Sequence, residues 1–235
     1  VAFKLVAFIF ALQRGHWGEY RPKTDMVADF FGYAMVLDTS FINKWRAGSL
    51  TGKRGEVARL SADGVELKSG EKLQADVIIC ATGFRKTYKY LPKEAQSMLD
   101  IQSDGLWLYR HMIPPSVRSL SLAFCGSEIA TITNIMTHAI HAEYICRMLS
   151  NRLTLPSEAD MVAEAERMKA WKRSWMPETS ARASLVLLYQ THYHDRLLMD
   201  MGERPGRKCG PCELFCPYGP GDYDGVMSEL PKQSA

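Results

Sequence analysis

The stretch Ala-Asp-Val-Ile-Ile-Cys-Ala-Thr-Gly-Phe at residues 75–84 is the part of the sequence that best indicates the fold. Residues 77–81 are continuously apolar, a pattern typical of a strand buried on both faces in a parallel α/β sheet. The strand ends in Ala81, Thr82, Gly83 and Phe84. Ligands of α/β sheets bind beyond the carboxyl ends of strands, and a glycine there lets the backbone approach a cofactor closely. We therefore expect these four residues at a ligand site.

A second strand end repeats this arrangement further along the chain. Residues 120–125 predict another buried strand, and Gly126 and Ser127 follow it directly. Thr131 and Thr133 are candidate N-caps of a long helix, whose N-terminus would offer free N–H groups and a partial positive charge. The two strand ends outline a dinucleotide-type site without identifying its ligand. The alternative is a pair of tight turns with no ligand.

The residues before the first strand end predict a small antiparallel β-meander. Residues 55–60 and 65–67 alternate between apolar and polar side chains, and a turn at 62–64 separates them. A second turn at 69–71 leads into the run 73–80. Alternating runs joined by short turns are typical of antiparallel hairpins. We expect three antiparallel strands, the last of which continues into the buried strand.

Three helices are predicted after the second strand end. The first extends from the two threonine caps to about Ser150, because its apolar residues follow the helical period. The second begins after Ser157, where Ser-Glu-Ala-Asp resembles a capping box, and extends to about Trp175. The third spans residues 181–201, with Gly202 as its C-cap.

The composition is that of an ordinary globular protein. The chain has 235 residues, of which 46% are hydrophobic and 23% charged, with a net charge of +3. This excludes a disordered or fibrous chain, and the charge is too balanced to predict a nucleic-acid partner. The apolar run at residues 1–12 contains Lys4 and is shorter than the ~20 residues that cross a bilayer, so it predicts a core helix. No transmembrane segment, signal peptide or disulfide framework is evident, and we expect a cytoplasmic protein.

The motif Cys209-Gly-Pro-Cys212 admits two functional interpretations. It resembles the redox motif of thioredoxins, but a basic loop precedes it where that chemistry needs a buried strand. It could also contribute to a zinc site with Cys216 and either His192 or His194, although structural zinc sites normally use two such pairs. We predict neither, and we predict no metal site.

Histidines and carboxylates elsewhere give no catalytic pattern. His138 and His141 share one helix face without the carboxylate of a metalloprotease motif, and we interpret them as polar residues of a half-exposed helix. Asp195 and Asp200 are interpreted as solvated charges. The sequence contains no Gly-x-Ser-x-Gly nucleophile elbow, no phosphate loop and no Gly-x-Gly-x-x-Gly.

The ordered series of segments resembles the flavin-containing monooxygenase family, which is related to the Baeyer–Villiger monooxygenases. Residues 76–84 resemble that family's Ala-Thr-Gly-aromatic signature, and the meander before them resembles the insert that precedes it. The other similar segments are residues 122–127, 134–138, 200–202, 207–208 and 217–223. If the tail follows the family, the Cys209 and Cys212 pair lies between matched segments and is a chance occurrence.

The resemblance implies an α/β fold, the C-terminal part of a flavoprotein with two dinucleotide-binding domains. Residues 1–80 would be a remnant of the NADP-binding domain, residues 81–202 the C-terminal part of the FAD-binding domain, and residues 203–235 an irregular tail. The family's two Gly-x-Gly-x-x-Gly fingerprints are absent from this sequence and are expected upstream of Val1. We therefore expect a truncated chain that is inactive alone, with an oligomer or a missing N-terminal half as its partner.

The resemblance also implies the chemistry. In the family NADPH reduces FAD, and the reduced flavin forms a C4a-hydroperoxide that oxygenates a small substrate at an amine nitrogen or a sulfide sulfur. Ala81, Thr82, Gly83 and Phe84 would pass near both cofactors. Gly126, Ser127, Thr133 and Asn134 would lie at the pyrimidine edge of the flavin, and no catalytic acid or base is assigned. The alternatives are a non-catalytic, partner-binding fragment and a disulfide-reductase-like flavoprotein that uses Cys209 and Cys212.

Overall fold

The computed structural model describes residues 39–84, 86–115 and 122–226, and in addition Phe8, Leu12, Ala28, Phe30 and Phe31. The core helix predicted for residues 1–12 lies outside the described residues, apart from Phe8 and Leu12. These two residues are helical and exposed.

The chain divides into two compact units. The first comprises residues 1–26 and 35–88, and the second comprises residues 27–34 and 89–235. This division does not identify either unit as a dinucleotide-binding domain. The assignment of residues 1–80, 81–202 and 203–235 to such domains therefore stays a prediction.

The first unit contains the predicted meander. Helix α1 (Thr39–Arg46) precedes strands β1 (Val57–Ser61), β2 (Gly64–Leu67) and β3 (Lys72–Gln74). The strands are antiparallel in the order β1-β2-β3, and Val65 pairs with residues of both outer strands. The small antiparallel sheet is confirmed.

The buried strand predicted at residues 77–81 is wrong for this structure. Strand β3 ends at Gln74, and residues 75–84 carry no strand. Ile79 is 86% exposed, and Phe84 is fully exposed. β-Branched residues favour a strand, but a strand forms only beside a hydrogen-bonded neighbour. No segment within the described ranges pairs with residues 77–81.

The second unit is mainly helical. Its elements are α2 (Lys93–Met98), β4 (Ile101–Gln102), β5 (Gly105–Leu106), α3 (Asn134–Leu149), α4 (Glu158–Trp175), a 3-10 turn (Leu187–Tyr189), α5 (Gln190–Asp200), α6 (Cys212–Phe215) and a second 3-10 turn (Pro220–Tyr223). The core lies between α3, α4, α5 and the loop at residues 109–113. The first two predicted helices are confirmed as α3 and α4.

The third predicted helix begins nine residues later than expected, at Gln190 rather than at residue 181. Residues 184–186 are instead used in a parallel bridge to Ala130. The Ala130 N–H donates to the Ser184 carbonyl at 2.8 Å, and the Val186 N–H donates to the Ala130 carbonyl at 2.9 Å. These long-range bonds take the backbone groups that a helix would have used.

The predicted caps of α4 and α5 are confirmed. The Ser157 hydroxyl accepts a hydrogen bond from the Asp160 N–H at 3.2 Å, which satisfies one free donor of the first turn. Gly202 follows α5 with φ +77°, and its N–H donates to the Met199 carbonyl. The Glu203 N–H donates to the Leu198 carbonyl, which completes a Schellman motif.

The second strand end is also not a strand. Residues 122–125 have no regular structure, and the part of the prediction at residues 120–121 lies outside the described residues. Phe124 is buried, and its N–H donates to the Met112 carbonyl at 2.8 Å. Cys125 is exposed. The Phe124 bond to an irregular loop helps to anchor this segment, which has no sheet ladder.

A buried carboxylate joins β5 to α4. Asp104 accepts two hydrogen bonds from Arg173, at 2.9 and 2.8 Å, and one from Arg182 at 3.2 Å. The Trp107 indole N–H donates to it at 3.1 Å. These bonds, chiefly those from Arg173, lower the pKa of Asp104 to about 2.

Candidate functional site

The eight predicted cofactor residues fall into two groups, one in each unit. Ala81, Thr82, Gly83 and Phe84 belong to the first unit, where all four are exposed and lie in irregular backbone. Gly126, Ser127, Thr133 and Asn134 belong to the second unit, where the turn after residue 125 leads to the start of α3. The second group forms a local site.

Gly126 occupies a position that only glycine fits. Its φ is +75°, in the left-handed region, and a Cβ there would lie 2.7 to 2.9 Å from three ring atoms of His138. Its N–H donates to Nδ1 of His141 at 3.4 Å. Ser127, the next residue, is exposed. The turn is therefore held from behind by α3 and presents Ser127 to solvent.

The start of α3 is capped from another helix. Gln190, the first residue of α5, accepts through its Oε1 from the Ile132 N–H at 2.9 Å and the Thr133 N–H at 3.2 Å. Asn134 accepts from the Thr131 N–H at 2.7 Å. Thr133 occupies the N-cap position, but its side chain makes no capping hydrogen bond, so capping by the two threonine side chains was the wrong mechanism.

The first turn of α3 remains open beyond these caps. Asn134 and Ile135 are exposed, and their backbone N–H groups have no acceptor among the residues described. Ile132 is exposed beside them. Free N–H donors and the positive end of a sixteen-residue helix suit an electron-rich ring edge or an anionic group.

A buried hydrogen-bonded chain connects Gly126 to the loop at residue 110. Since Nδ1 of His141 accepts from Gly126, its Nε2 carries the proton and donates to the Tyr193 hydroxyl at 2.5 Å. Tyr193 in turn donates to the Arg110 carbonyl at 2.7 Å. Burial lowers the pKa of His141 to about 3, which keeps its ring neutral and fixes this donor order.

A parallel chain of buried groups surrounds His194. Thr137 donates to the Thr133 carbonyl at 3.1 Å, so Nε2 of His194 donates to the Thr137 hydroxyl at 2.9 Å. The Tyr223 hydroxyl then donates to Nδ1 of His194 at 3.4 Å. Burial lowers the pKa of His194 to about 4. His194 is thus a neutral structural residue, and both its nitrogens are occupied.

Arg110 is the centre of a cluster that the sequence did not predict. Its guanidinium donates to both carboxylate oxygens of Asp200, at 2.6 and 3.1 Å, and contacts Glu164. The Tyr144 hydroxyl also donates to Asp200, at 3.2 Å. The interpretation of Asp200 as a solvated charge was wrong. His141, interpreted as a polar residue of a half-exposed helix, is fully buried. Arg110 and Asp200 are ninety positions apart, so no local spacing could indicate the pair.

The cysteine motif lies in a different setting from that of redox or zinc sites. Cys209, Cys212 and Cys216 are free and exposed, and Cys212 begins the four-residue α6 after an irregular loop. Within the described part of the chain no group of three or more histidine, cysteine or acidic residues could hold a metal ion. His194, a candidate zinc ligand, is occupied by Thr137 and Tyr223. No helix in the described ranges is both long and apolar enough to cross a membrane.

Comparisons with known proteins identify relatives of the chain. "Probable flavin-containing monooxygenase 1" of Arabidopsis thaliana is 24% identical over 209 residues, covering 86% of this chain and 38% of that protein. "FAD-dependent monooxygenase DEP4" of Alternaria brassicicola is 24% identical over 261 residues, covering 89% of this chain and 44% of that protein. Among solved structures, S-allyl-L-cysteine S-oxygenase from Allium sativum has a TM-score of 0.48 at 21% identity, covering 66% of this chain and 38% of that one.

The chain spans 38% and 44% of the length of these two curated relatives. The model of the flavin-binding monooxygenase-like family matches residues 36–207, which is well over half of the chain. That range includes every predicted cofactor residue in both units. The chain therefore belongs to the flavin-binding monooxygenase-like family.

Proposed function

We propose that the protein is an FAD- and NADPH-dependent monooxygenase that transfers one oxygen atom to an amine nitrogen or a sulfide sulfur. In this reaction O₂ and NADPH are consumed, one oxygen atom enters the substrate, and the other leaves as water. Family membership supports the flavin, and the relative in Alternaria brassicicola is named as FAD-dependent. NADPH as the reductant and the soft nucleophile as the substrate class rest on the resemblance.

The observation that carries the proposal is the open first turn of α3 beside the Gly126 turn. The exposed N–H groups of this first turn fit the edge of a flat, electron-rich ring. The missing Cβ of Gly126 leaves room for the His138 ring behind the turn, which fixes the position of the turn. We assign Gly126, Ser127, Thr133 and Asn134 to the pyrimidine edge of FAD. When bound, FAD supplies the oxygen-activating chemistry, and the protein supplies binding, orientation and a water-poor environment.

The residues of this chain would act on the cofactor by position and electrostatics. The positive end of α3 stabilises negative charge on the nearby ring edge. The cap from Gln190 fixes the direction in which the first turn points, and His141 holds the Gly126 backbone from behind. We assign no proton transfer to His141 or His194, because each is a neutral ring with both nitrogens hydrogen-bonded.

Ala81, Thr82, Gly83 and Phe84 are proposed to pass near both cofactors, as the family resemblance implies. In the structure these residues are exposed and irregular, so they are free to make contacts with a ligand. The division into an NADP-binding part (1–80) and an FAD-binding part (81–202) belongs to the same proposal.

The two alternatives make different predictions. A disulfide-reductase-like flavoprotein would need Cys209 and Cys212 next to a flavin, and nothing in the exposed loop around them supports this. A non-catalytic binding fragment would use its exposed apolar residues, such as Ile79 and Phe84, without any flavin. Flavin content and oxygen incorporation separate both alternatives from the monooxygenase.

The test uses the protein isolated from its natural source with an antibody against this chain. We expect a yellow protein with flavin absorbance near ~450 nm, because the isoalloxazine ring is the chromophore. With NADPH, a thioether or tertiary amine and isotopically labelled O₂, one labelled oxygen atom should appear in the sulfoxide or N-oxide. A colourless protein, or a product without the label, would overturn the proposal. NADPH consumption without labelled product, lost in Cys209→Ser and Cys212→Ser variants, would favour the reductase-like alternative.

A further inference from the structure

A pocket lies in the second unit between α4, α5 and the loop at residues 108–111. It has a volume of about 150 Å³. A cavity of this size in another protein holds a benzene ring, so the pocket accommodates a single ring-sized group and not a nucleotide. None of the eight proposed cofactor residues lines it, and the inference therefore goes beyond the proposed function.

The walls of the pocket are mainly aromatic and apolar, and the Glu164 carboxylate that also lines it is paired with Arg110. Tyr189 and Tyr193 contribute their rings, and Leu108 and Met168 complete the apolar lining. The hydroxyls of both tyrosines already donate hydrogen bonds within the protein. Tyr189 donates to the Leu185 carbonyl at 2.9 Å, and Tyr193 donates to the Arg110 carbonyl. Tyr189 also packs against Phe31 and Trp171, and Tyr193 packs against His111 and His141. Each ring therefore offers an occupant only its pocket-facing surface, without a free hydroxyl.

The rim of the pocket carries a cation that is available to a ligand. His192 and Arg196 are exposed and lie one turn apart on α5, so they share one helix face. Arg110 also lines the pocket, but Asp200 and Glu164 neutralise its charge. Arg196 has no ion-pair partner among the described residues. A planar guanidinium binds a carboxylate through two parallel hydrogen bonds.

The floor of the pocket is a strained turn. Arg110 and His111 are consecutive residues with φ +51° and +54°, in a region that residues with a side chain rarely occupy. The Met112 N–H donates to the Tyr109 carbonyl at 3.0 Å across the turn. The Tyr193 hydroxyl donates to the Arg110 carbonyl within it. Such strain persists only where the surroundings impose it, and it concentrates at binding sites.

We propose that this pocket binds a small aromatic carboxylate. The ring lies between the Tyr189 and Tyr193 side chains, and the carboxylate accepts hydrogen bonds from the Arg196 guanidinium at the rim. The aromatic walls select the ring. The exposed Arg196 guanidinium, which has no ion-pair partner in the described part of the chain, selects the charge.

The test is a saturation-transfer NMR titration of the chain with benzoate. Benzamide, which keeps the ring and lacks the charge, and acetate, which keeps the charge and lacks the ring, are the matched ligands. We expect saturable benzoate binding and affinities for the other two that are weaker by about tenfold, the effect of one charge-assisted hydrogen bond or of the lost ring contact. No saturable benzoate binding, or benzamide binding with equal affinity, would overturn the proposal.

The matched protein variants are Arg196→Gln and Arg204→Gln. Both arginines are exposed, so both variants should fold, and Arg204 lies outside the pocket. Arg196→Gln should weaken benzoate binding by about tenfold while Arg204→Gln leaves it unchanged. Equal effects of the two substitutions would show that the benzoate signal comes from non-specific attraction to a basic surface, and would overturn the site.

Discussion

Replacing Gly126 with alanine should lower the free energy of unfolding of the second unit by about 2–5 kcal/mol. The backbone at φ +75° costs an alanine about 1–2 kcal/mol. The new Cβ would also lie 2.7 Å from Cγ and Cδ2 of His138 and 2.9 Å from its Nδ1, closer than real Cβ contacts allow. Relieving that overlap moves α3 or the turn, which costs roughly 1–3 kcal/mol more.

Three further variants, two single and one double, separate these costs. Gly202 has φ +77° and no heavy atom within 4 Å of its Cβ position, so Gly202→Ala should lose only the backbone part, about 1–2 kcal/mol. His138→Ala removes the ring, and in that background Gly126→Ala should cost no more than Gly202→Ala. Urea unfolding followed by tryptophan fluorescence gives all four free energies, and the double-mutant cycle isolates the interaction between Gly126 and His138.

The reasoning is refuted if Gly126→Ala and Gly202→Ala cost the same, or if the cycle shows no coupling between positions 126 and 138. Either result would mean that the ring does not lie behind the turn. In the natural protein, Gly126→Ala should reduce the amount of bound flavin, because the Gly126 turn would move relative to the first turn of α3. Gly202→Ala is again the control, since residue 202 lies outside the proposed cofactor site.

Three further predictions concern stability. The pKa values of His141 and His194 are lowered to about 3 and about 4 in the folded chain. An unfolded histidine has a pKa of about 6.5, so below that pH the unfolded chain binds more protons than the folded one. Burial also lowers the pKa of His111 well below this value. The free energy of unfolding should therefore fall as the pH drops from about 6.5 to about 4, by up to ~4 kcal/mol per pH unit for three protons, and urea midpoints measured across this range check the slope. Asp104→Asn leaves two arginines facing a neutral group and should cost about 2–4 kcal/mol, whereas a loss under 0.5 kcal/mol would show that solvent screens the cluster. Ser157→Ala removes the N-cap of α4 and should cost about 1 kcal/mol in the same unfolding assay.

Elements whose structure is determined by residues close together in sequence were predictable. The meander, α3 and α4 follow from periodicity, and the caps at Ser157 and Gly202 follow from residue types with a local mechanism. The start of α5 was not predictable in this way. Its boundary is set by the bridge between Ala130 and Leu185, whose two residues are far apart in sequence.

The candidate site also contains features that residues near in sequence determine and features that distant residues determine. The start of α3 was predicted from residue types and the helical period, whereas Gly126 was chosen as the end of a strand that the described residues do not form. The groups that hold them were not predicted, since Gln190 caps α3 from another helix and Tyr193 reaches His141 across the core. The charged partners Arg110 and Asp200 are also joined only by the fold.

The two buried strands predicted at residues 77–81 and 120–125 fail for a reason that the successful meander makes clear. An antiparallel hairpin receives its partner strand from the residues that follow a short turn, so a local pattern contains both halves of the interaction. A strand buried on both faces in a parallel sheet needs partners delivered by long crossovers. Apolar character indicates that such a segment favours burial, but it does not identify the surface that buries it. Residues 77–81 and 122–125 pair with no strand in the described ranges.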